Sequence, residues 1–311
     1  MTDRPFFSVI MPVYNRAAVV GRSINSCVQQ DFESFELVVV DDGSSDGTVD
    51  AIRSFKDRRI RLIAHERNRG RGPARNTGMA AARGEWLVFL DSDDELLPDA
   101  LAAIHRRAIA ADPSIGGLRF MCVDEEGISP VPAHRDEIFE YEDYLRWLDV
   151  AVKVETLPCA RASTFPAVQY PDSHATERSY HLDLARASRV QACTDVVRRY
   201  HHDVADRITV TTPERDLRYA PDEADDAREV LRKHGDAMRR FAPRTYWFLL
   251  SHATMSSFMA GRRMDGVRYA LRAGRITPFA PRLYAITLVG LFGPRRLAQL
   301  KNFWRRTRAA A

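Results

Sequence analysis

Short apolar runs alternate with helical segments through the first hundred residues. The runs are rich in Val, Ile, Leu and Phe, as strands buried on both faces should be. They read "FFSVIM" (6–11), "FELVVV" (35–40), "RIRLIA" (59–64) and "WLVFL" (86–90), and the helical segments between them are 17–30, 46–55 and 73–83. This alternation predicts an α/β fold with a Rossmann-like wound, mostly parallel sheet.

The pattern changes beyond the fourth strand. Residues 96–113 predict a helix, 116–124 a further strand, 141–152 a helix, and 170–187 a loop that leads into a helix. Residues 213–240 are helix-prone, with "TPERD" and "APDEADD" as helix starts, and Gly and Pro divide the chain after 240 into short helical stretches. We therefore predict one domain over 1–212, with halves 1–112 and 113–212, and a mainly helical extension over 213–311.

Composition is that of an ordinary globular protein. The chain has 311 residues, of which 45% are apolar and 28% charged, so disorder is not expected. The four cysteines are far apart in sequence and form no C-x-x-C pair, which argues against a disulfide framework and a zinc cluster. The N-terminus lacks the pattern of a signal peptide. These features predict a cytoplasmic protein.

Positive charge is concentrated near the C-terminus. Residues 239–311 contain fifteen Arg or Lys and the single acid Asp265, although the whole chain has a net charge of only +4. The stretches "RRMDGVRYALRAGR" and "PRRLAQLKNFWRRTR" interleave Arg with apolar and aromatic residues, which favours contact with an anionic membrane surface, at the inner face. The alternative is helices packed on the rest of the chain with snorkelling arginines. No nucleic-acid-binding module accompanies this charge, so nucleic acid is not an expected partner.

The most unusual stretch is "FLDSDDELLP", in which four acids among five residues follow a buried strand. Two such charges about 4 Å apart repel by roughly 4 kcal/mol at an effective dielectric near 20, so a cation, a hydrogen-bond network or open water must relieve them. A second acidic pair, Asp41 and Asp42, follows another strand. Ligands of wound sheets bind beyond the carboxyl ends of the strands, so both clusters predict a binding site.

Two common sites do not fit. A dinucleotide site needs G-x-G-x-x-G after the first strand, but Gly70 and Gly72 follow the third strand, and Arg75 stands where the last glycine should be. A calcium loop over 42–53 would need Glu at its last position, where the chain has Arg53. The sequence therefore argues against nicotinamide, flavin and EF-hand calcium sites.

Four blocks in order carry a resemblance to a known family. They read "SVIMPVYN", "ELVVVDDGSSDGT", "NRGRGPARNTGMAAARGEW" and "FLDSDD", and they resemble the inverting family 2 glycosyltransferases of the A-type fold. The resemblance is strong over 6–112 and faint over 156–212, and it hardly extends to the tail. It implies transfer of a sugar from a nucleotide-diphosphate sugar, with a UDP-sugar as the expected donor, to a lipid-linked or polysaccharide acceptor in cell-surface glycan synthesis.

The resemblance also implies roles for residues of the donor half. Asp91 and Asp93 would hold Mn²⁺ or Mg²⁺, which suits oxygen ligands and neutralises the leaving diphosphate, with Asp93 closer to the metal and Asp91 facing the ribose or the metal's water shell. Asp42 would accept a hydrogen bond from the imide N–H of the base. The base pocket would be walled by Pro12, Tyr14 and Asn15.

Alternatives remain for the acidic pair after the second strand and for Arg75. Asp41 and Asp42 could instead form an Asx turn and cap the helix that begins near Asp46. Arg75 could pair with Asp42 or with a diphosphate oxygen, or it could be a surface arginine of a helix.

Inverting transfer also needs a general base for the acceptor hydroxyl. The family usually supplies it from a Glu-Asp or similar pair, but here Glu177 is followed by Arg178. Glu177 is our first candidate, and Asp172 and His174 are reserves in the same predicted loop. Among later residues, we interpret His201 and His202 as structural.

Two other functions occur on the same fold. A nucleotidyltransferase would carry a glycine-rich, lysine-containing loop after the first strand, and "PVYNRAAVV" has neither feature. A non-catalytic sugar-nucleotide binder or scaffold of the same fold stays open, because the usual Asp is absent at position 178.

Overall fold

A computed structural model describes residues 4–129, 135–150, 155–174, 177–201 and 212–309. The described residues fall into two compact units. The sheet unit lies within Met1–Ser173 and Tyr180–Val204, and the helical unit lies within His174–Ser179 and Ala205–Ala311. The domain boundary at residue 212 that the sequence suggests stays a prediction, because residues 202–211 lie outside the described part of the chain.

The described part of the sheet unit contains one nine-stranded sheet. Its strands are β1 Phe7–Val13, β2 Phe35–Asp41, β3 Ile60–Ala64, β4 Trp86–Phe89, β5 Glu95–Leu96, β6 Ile115–Val123, β7 Glu137–Phe139, β8 Thr156–Arg161 and β9 Arg189–Arg199. They lie in the order β3-β2-β1-β4-β8-β6-β9-β5, and β7 also pairs with β9.

The first four strands form the parallel, wound part of the sheet that the sequence predicts. The second half is mixed. Strand β8 runs antiparallel to both of its neighbours, β4 and β6, whereas β6 and β9 are parallel. Strands β5 and β7 are both antiparallel to β9. The α/β class is confirmed. Strands β7 and β8 come from segments for which the sequence pattern is weak, and β5 includes Leu96, which the sequence wrongly places at the start of a helix that begins at Ala100.

Helices cover the sheet, and their bounds follow the predicted segments closely. They are α1 Val20–Val28, α2 Thr48–Arg53, α3 Arg71–Ala81, α4 Ala100–Ala110, α5 Tyr141–Val150 and α6 Arg178–Ala187. Because side chains alternate along a strand, β1 sends Val9 and Met11 into one core and Ile10 into another. A Cβ on Gly78 of α3 would lie 2.5 Å from a methyl carbon of Ile10, so only glycine lets α3 pack this closely on β1. Both faces of the central strands are covered, and ligands can reach the sheet only beyond the strand ends.

The described part of the helical unit is built from five long helices. They are α7 Pro213–Phe241, α8 Pro243–Met259, α9 Arg263–Ile276, α10 Pro281–Leu291 and α11 Pro294–Ala309. The sequence suggests two helix starts in 213–240, and this was wrong: α7 is one helix that continues through Pro221. The proline removes one intrahelical hydrogen bond, but a buried stripe that includes Ala220, Ala224 and Ala227 continues past it.

Phe258 of α8 is the centre of this unit's core. A Cβ on Gly266 of α9 or Gly290 of α10 would lie 2.8 or 2.5 Å from its ring carbons, so two glycines admit the ring between helices. Within the described residues, none of the helices is both long and apolar enough to cross a membrane.

Candidate active site

The carboxyl ends of β2, β1 and β4 lie side by side and carry the predicted donor residues. Pairing continues just past the strands, because the Asp42 N–H donates to the Val13 carbonyl at 2.8 Å and the Leu90 N–H donates to the Ile10 carbonyl at 3.1 Å. Asn15, Asp42 and Asp91 therefore emerge at one edge of the sheet. This is the position that wound sheets use for ligands.

Asp42 is buried, with 3% of its surface exposed, and holds the loop that follows β3. Its Oδ1 accepts the Arg69 N–H at 3.0 Å and lies 2.7 Å from His65 Nδ1, and its Oδ2 accepts the Gly70 N–H at 2.7 Å. His65 is positioned in turn by the Thr77 hydroxyl at 2.9 Å. A carboxylate has about four lone-pair sites, so these contacts leave room for one further donor.

The Asx turn that was the alternative role of the acidic pair is formed by Asp41 alone. Its Oδ2 accepts the Ser44 N–H at 3.1 Å, which is a local turn contact, and among the described atoms its buried Oδ1 has no hydrogen-bond partner. Helix α2 begins after Gly47, which has φ 81° and no side-chain cap. Neither aspartate therefore caps α2, and Asp42 bonds to a different loop altogether.

The predicted wall of the base pocket divides into one exposed and two structural residues. Pro12 is buried within β1. Asn15 has φ 50°, its N–H donates to the Ser44 hydroxyl at 2.9 Å, and its Oδ1 accepts the Ser45 N–H at 2.9 Å. These bonds tie the loop after β1 to the loop after β2. Tyr14 is 43% exposed, so it is the member of this group with a surface open to a base.

Residues 91–94 form a tight turn after β4, closed by a 3.2 Å hydrogen bond from the Asp94 N–H to the Asp91 carbonyl. Arg75 Nη2 donates to Asp91 Oδ1 at 2.6 Å. The Arg75 guanidinium also lies 5.2 Å from the centre of the Tyr170 ring, and its side chain is only 4% exposed. Arg75 therefore pairs with Asp91 and not with Asp42, and its interpretation as a surface arginine was wrong.

Asp93 is braced through its backbone. Arg22 Nη2 donates to the Asp93 carbonyl at 2.9 Å, and Arg16 Nε lies 3.9 Å from Asp93 Oδ2. The Asp91 and Asp93 side chains are 33% and 26% exposed. The turn thus presents two partly open carboxylates on a fixed backbone.

The fourth cation at this turn, Arg198 of β9, is a residue that sequence reasoning missed. Its Nη1 lies 3.2 Å from Asp94 Oδ2, its Nε donates to Cys122 Sγ at 3.1 Å, and its Nη2 contacts Glu155. Burial raises the pKa of Asp94 to about 8, Arg198 opposes this shift, and the charges of Asp91 and Asp93 add to it. Asp94 is therefore a structural acid that anchors the turn to β9. The repulsion among the acids is relieved by buried arginines on both sides.

The carboxylates of Asp91 and Asp93 suit a divalent cation that also binds a diphosphate. Among the described residues no group of three or more His, Cys, Asp or Glu side chains could hold a metal alone. Asp91 and Asp93 offer hard oxygen ligands, and Mg²⁺ or Mn²⁺ in such sites takes its remaining ligands from phosphate oxygens and water. Two partly exposed carboxylates suit this mode of binding.

The three base candidates do not lie in the same unit. Asp172 belongs to the sheet unit, where Arg69 Nη2 lies 3.3 Å from its carboxylate and its side chain is 76% exposed. His174 belongs to the helical unit, where its N–H donates to Asp222 Oδ2 at 3.0 Å and its ring lies 4.9 Å from that of Tyr219. Glu177 is half-buried in the helical unit.

The arginine that follows Glu177 faces acids of α7. Burial lowers the pKa of Arg178, and the charges of Asp226 and Glu223 oppose the shift. Among the described atoms its buried Nη1 has no hydrogen-bond partner. Of the two later histidines, His201 bridges Glu95 at 2.9 Å and Glu125 at 3.1 Å, in line with a structural role, and His202 lies outside the described residues.

Comparison with known proteins identifies a family and several similar sequences. The model of the family "Glycosyl transferase family 2" matches residues 8–160. The succinoglycan biosynthesis protein ExoO of Rhizobium meliloti is 45% identical over 111 residues, which are 36% of this chain and 32% of that protein. WfgD of Escherichia coli, a UDP-Glc:alpha-D-GlcNAc-diphosphoundecaprenol beta-1,3-glucosyltransferase, is 44% identical over 92 residues, which are 30% of this chain and 36% of that protein. The match thus spans about a third of each of these relatives.

Solved structures share the fold across nearly the whole chain. S. aureus TarS 1-349 in complex with UDP-GlcNAc has a TM-score of 0.60 at 16% identity, over 97% of this chain and 92% of that one. The mannosyltransferase PcManGT from Pyrobaculum calidifontis, in complex with GDP-Man and Mn²⁺, has a TM-score of 0.55 at 22% identity, over 98% of this chain and 88% of that one.

Proposed function

Residues 8–160 form a domain of glycosyl transferase family 2, and from this premise we propose that the protein transfers a sugar from a UDP-sugar, with inversion, to a lipid-linked or polysaccharide acceptor. The observation that carries the proposal is the braced turn with two partly exposed carboxylates, Asp91 and Asp93, at the edge of the sheet. The name of WfgD, which includes UDP-Glc and a diphosphoundecaprenol acceptor, supports the choice of donor and acceptor class.

The donor would be held from three sides. Asp42 would accept the imide N–H of uracil with its remaining lone pair, and the exposed Tyr14 would cover the base. Asp91 and Asp93 would hold Mn²⁺ or Mg²⁺, and that ion supplies positive charge against the diphosphate as it leaves. Arg75 fixes Asp91 Oδ1 at 2.6 Å, so the carboxylate needs little reorganisation when the donor binds. Preorganised charge of this kind is a large part of catalysis.

The acceptor would be activated by a carboxylate of this chain. In an inverting displacement the acceptor oxygen attacks the anomeric carbon opposite the leaving diphosphate, and a general base takes the hydroxyl proton. We assign this role to Glu177, with Asp172 and His174 as the alternatives. The basic region 239–311 would hold the protein at the anionic inner face of the membrane, where a lipid-linked acceptor is found.

A donor panel tests the proposal directly. Because a ligand that binds only the folded state raises the apparent stability, UDP-sugars with Mn²⁺ should raise the melting temperature. GDP-sugars, whose base offers a different hydrogen-bonding edge, should raise it less, and TDP-sugars test whether the site also distinguishes thymine, which shares the imide N–H of uracil. The best donor should then support transfer to a diphosphate-linked lipid acceptor. A melting temperature that no nucleotide sugar changes, with or without Mn²⁺, would contradict the proposal.

Base recognition by Asp42 can be separated from its structural role. The Asp42→Asn variant replaces an acceptor oxygen with an NH₂ group, so it should lose the hydrogen bond to uracil N3–H but could donate to the N3 acceptor of cytosine. We expect the ratio of UDP to CDP affinity, measured by calorimetry, to fall about tenfold, or 1.4 kcal/mol.

Asp42 also holds the loop that follows β3, so the variant should lose stability as well. The Arg69 and Gly70 N–H groups bond to different oxygens of Asp42, so one of them would face the new NH₂ group. The free energy of unfolding should therefore fall by about 1–3 kcal/mol whether or not Asp42 also recognises the base. A variant that loses stability and keeps the UDP to CDP ratio of the unaltered protein would make Asp42 a loop anchor only.

A further inference from the structure

Helix α10 is apolar on its exposed side as well as on its buried side. Leu283, Ile286 and Gly290 face the interior of the helical unit. The opposite side carries Tyr284, Leu288 and Leu291, which are 53%, 61% and 45% exposed. These three residues are four and three positions apart, so they lie on one side of the helix. A surface helix of a globular protein normally has polar residues there.

Two phenylalanines extend this surface at the helix ends. Phe279 precedes α10 and is 93% exposed, and Phe292 follows it and is 62% exposed. We call the surface formed by Phe279, Tyr284, Leu288, Leu291 and Phe292 the α10 face. Contiguous exposed apolar residues of this kind mark a surface that contacts another apolar phase.

The charged residues that flank the α10 face in the sequence, over 275–296, are all positive. Arg275, Arg282, Arg295 and Arg296 are exposed at its two ends, and the Arg296 guanidinium lies 5.8 Å from the centre of the Phe292 ring. The sequence contains no Asp or Glu after Asp265. An apolar centre with a basic rim is complementary to an anionic lipid bilayer, with acyl chains beneath phosphate headgroups.

The geometry points to insertion of the α10 face into the interfacial region of an anionic bilayer, with α10 lying in the membrane plane. The helix has 11 residues, so it is roughly 16 Å long and cannot span a hydrocarbon core of about 30 Å. The aromatic residues at its ends suit the headgroup boundary. This inference rests on the proposed function in that a lipid-linked acceptor requires access to a membrane. It also changes the sequence-based expectation, which placed membrane contact in the stretches that became α9 and α11.

Vesicle binding by the full-length chain tests the inference. The unaltered protein should float with vesicles of phosphatidylglycerol and phosphatidylcholine and should not float with phosphatidylcholine alone. The double variant Phe279→Ser, Leu288→Gln should lose at least about tenfold in affinity for the anionic vesicles, because both side chains are exposed and the fold does not need them. The control is Ile109→Gln, which removes an apolar side chain that is 63% exposed in the sheet unit.

A fluorescent label locates the contact. All four native cysteines are buried, so Phe279→Cys provides a single accessible thiol for an environment-sensitive dye, and Ile109→Cys provides the control position. The emission maximum of the dye at position 279 should shift to shorter wavelength when anionic vesicles are added, and that of the dye at position 109 should not. UDP-sugar binding is measured on the same samples, so a failure of the donor proposal is seen separately.

Two outcomes would overturn the inference. If Phe279→Ser, Leu288→Gln binds anionic vesicles as the unaltered protein does, while Arg275→Gln, Arg282→Gln, Arg295→Gln does not, charge alone holds the protein to lipid. If the unaltered protein ignores vesicles and instead forms a dimer that the apolar double variant abolishes, a second copy of the chain covers the α10 face.

Discussion

Replacing Asp93 with asparagine is expected to lower sugar transfer by about 10²–10³-fold, the usual cost of losing one preorganised group that stabilises developing charge. The same variant should lose the part of UDP affinity that depends on Mn²⁺. Asp93 is partly exposed, and its bracing contact with Arg22 uses the backbone carbonyl, so the turn should keep its shape. Calorimetry with UDP, with and without Mn²⁺, and a transfer assay measure the two effects.

Two neighbouring aspartates serve as controls for this prediction. Asp99 is exposed in a left-handed conformation with φ 59°, which asparagine also adopts readily, so Asp99→Asn should change neither transfer nor UDP affinity. Asp94→Asn should act on stability, because Asp94 is buried against Arg198. If Asp93→Asn retains the Mn²⁺-dependent affinity of the unaltered protein, the metal assignment is wrong.

Glu177→Gln is expected to lower turnover by about 10²-fold or more, the scale of a lost general base, while UDP affinity stays unchanged. The amide keeps the size of the side chain but replaces one acceptor oxygen with an NH₂ group, and it cannot act as the proton acceptor. Single-turnover measurements at saturating donor isolate this chemical step. Asp172→Asn and His174→Ala, measured in parallel, show whether a reserve residue performs the role.

Arg178 affects how this result is interpreted. A cation beside Glu177 would weaken it as a base by lowering its pKa. The charges of Asp226 and Glu223 of α7 act on Arg178 in the opposite sense to its burial, and they would offset part of its effect on Glu177. If all three variants keep near-normal transfer, the base is another residue. If the unaltered protein binds UDP-sugars but transfers to no acceptor, the non-catalytic binder is the better description.

The braced turn also explains why the acidic cluster is tolerated at the end of a buried strand. Asp91 is paired with Arg75 and Asp94 with Arg198, and each of these arginines has a side chain only 4% exposed. Breaking such a buried pair by removing one partner typically costs about 3–5 kcal/mol. The two buried arginines thus offset part of the repulsion among the acids of this turn.

The sequence by itself determined the parallel half of the sheet and the order of the donor loops. Strands β1 to β4 are continuous apolar runs, and each is followed by its own polar loop, so the local pattern contains the information needed. Parallel pairing then brings Asn15, Asp42 and Asp91 to one edge, since the carboxyl ends of parallel strands coincide. The four sequence blocks over these residues also indicated the family.

Only the tertiary structure decided which partners these residues have. The pairs join positions that are 16 to 104 residues apart in the chain: Arg75 with Asp91, Arg198 with Asp94, and Asp42 with the loop at Arg69. No local sequence pattern predicts such contacts. The antiparallel strand β8 between β4 and β6 is also set by distant pairing. In the helical unit the sequence shows the positive charge, but the direction of each side chain depends on how α10 packs. The same helix has apolar residues all round, and only packing determines which of them are buried and which remain exposed to form the α10 face.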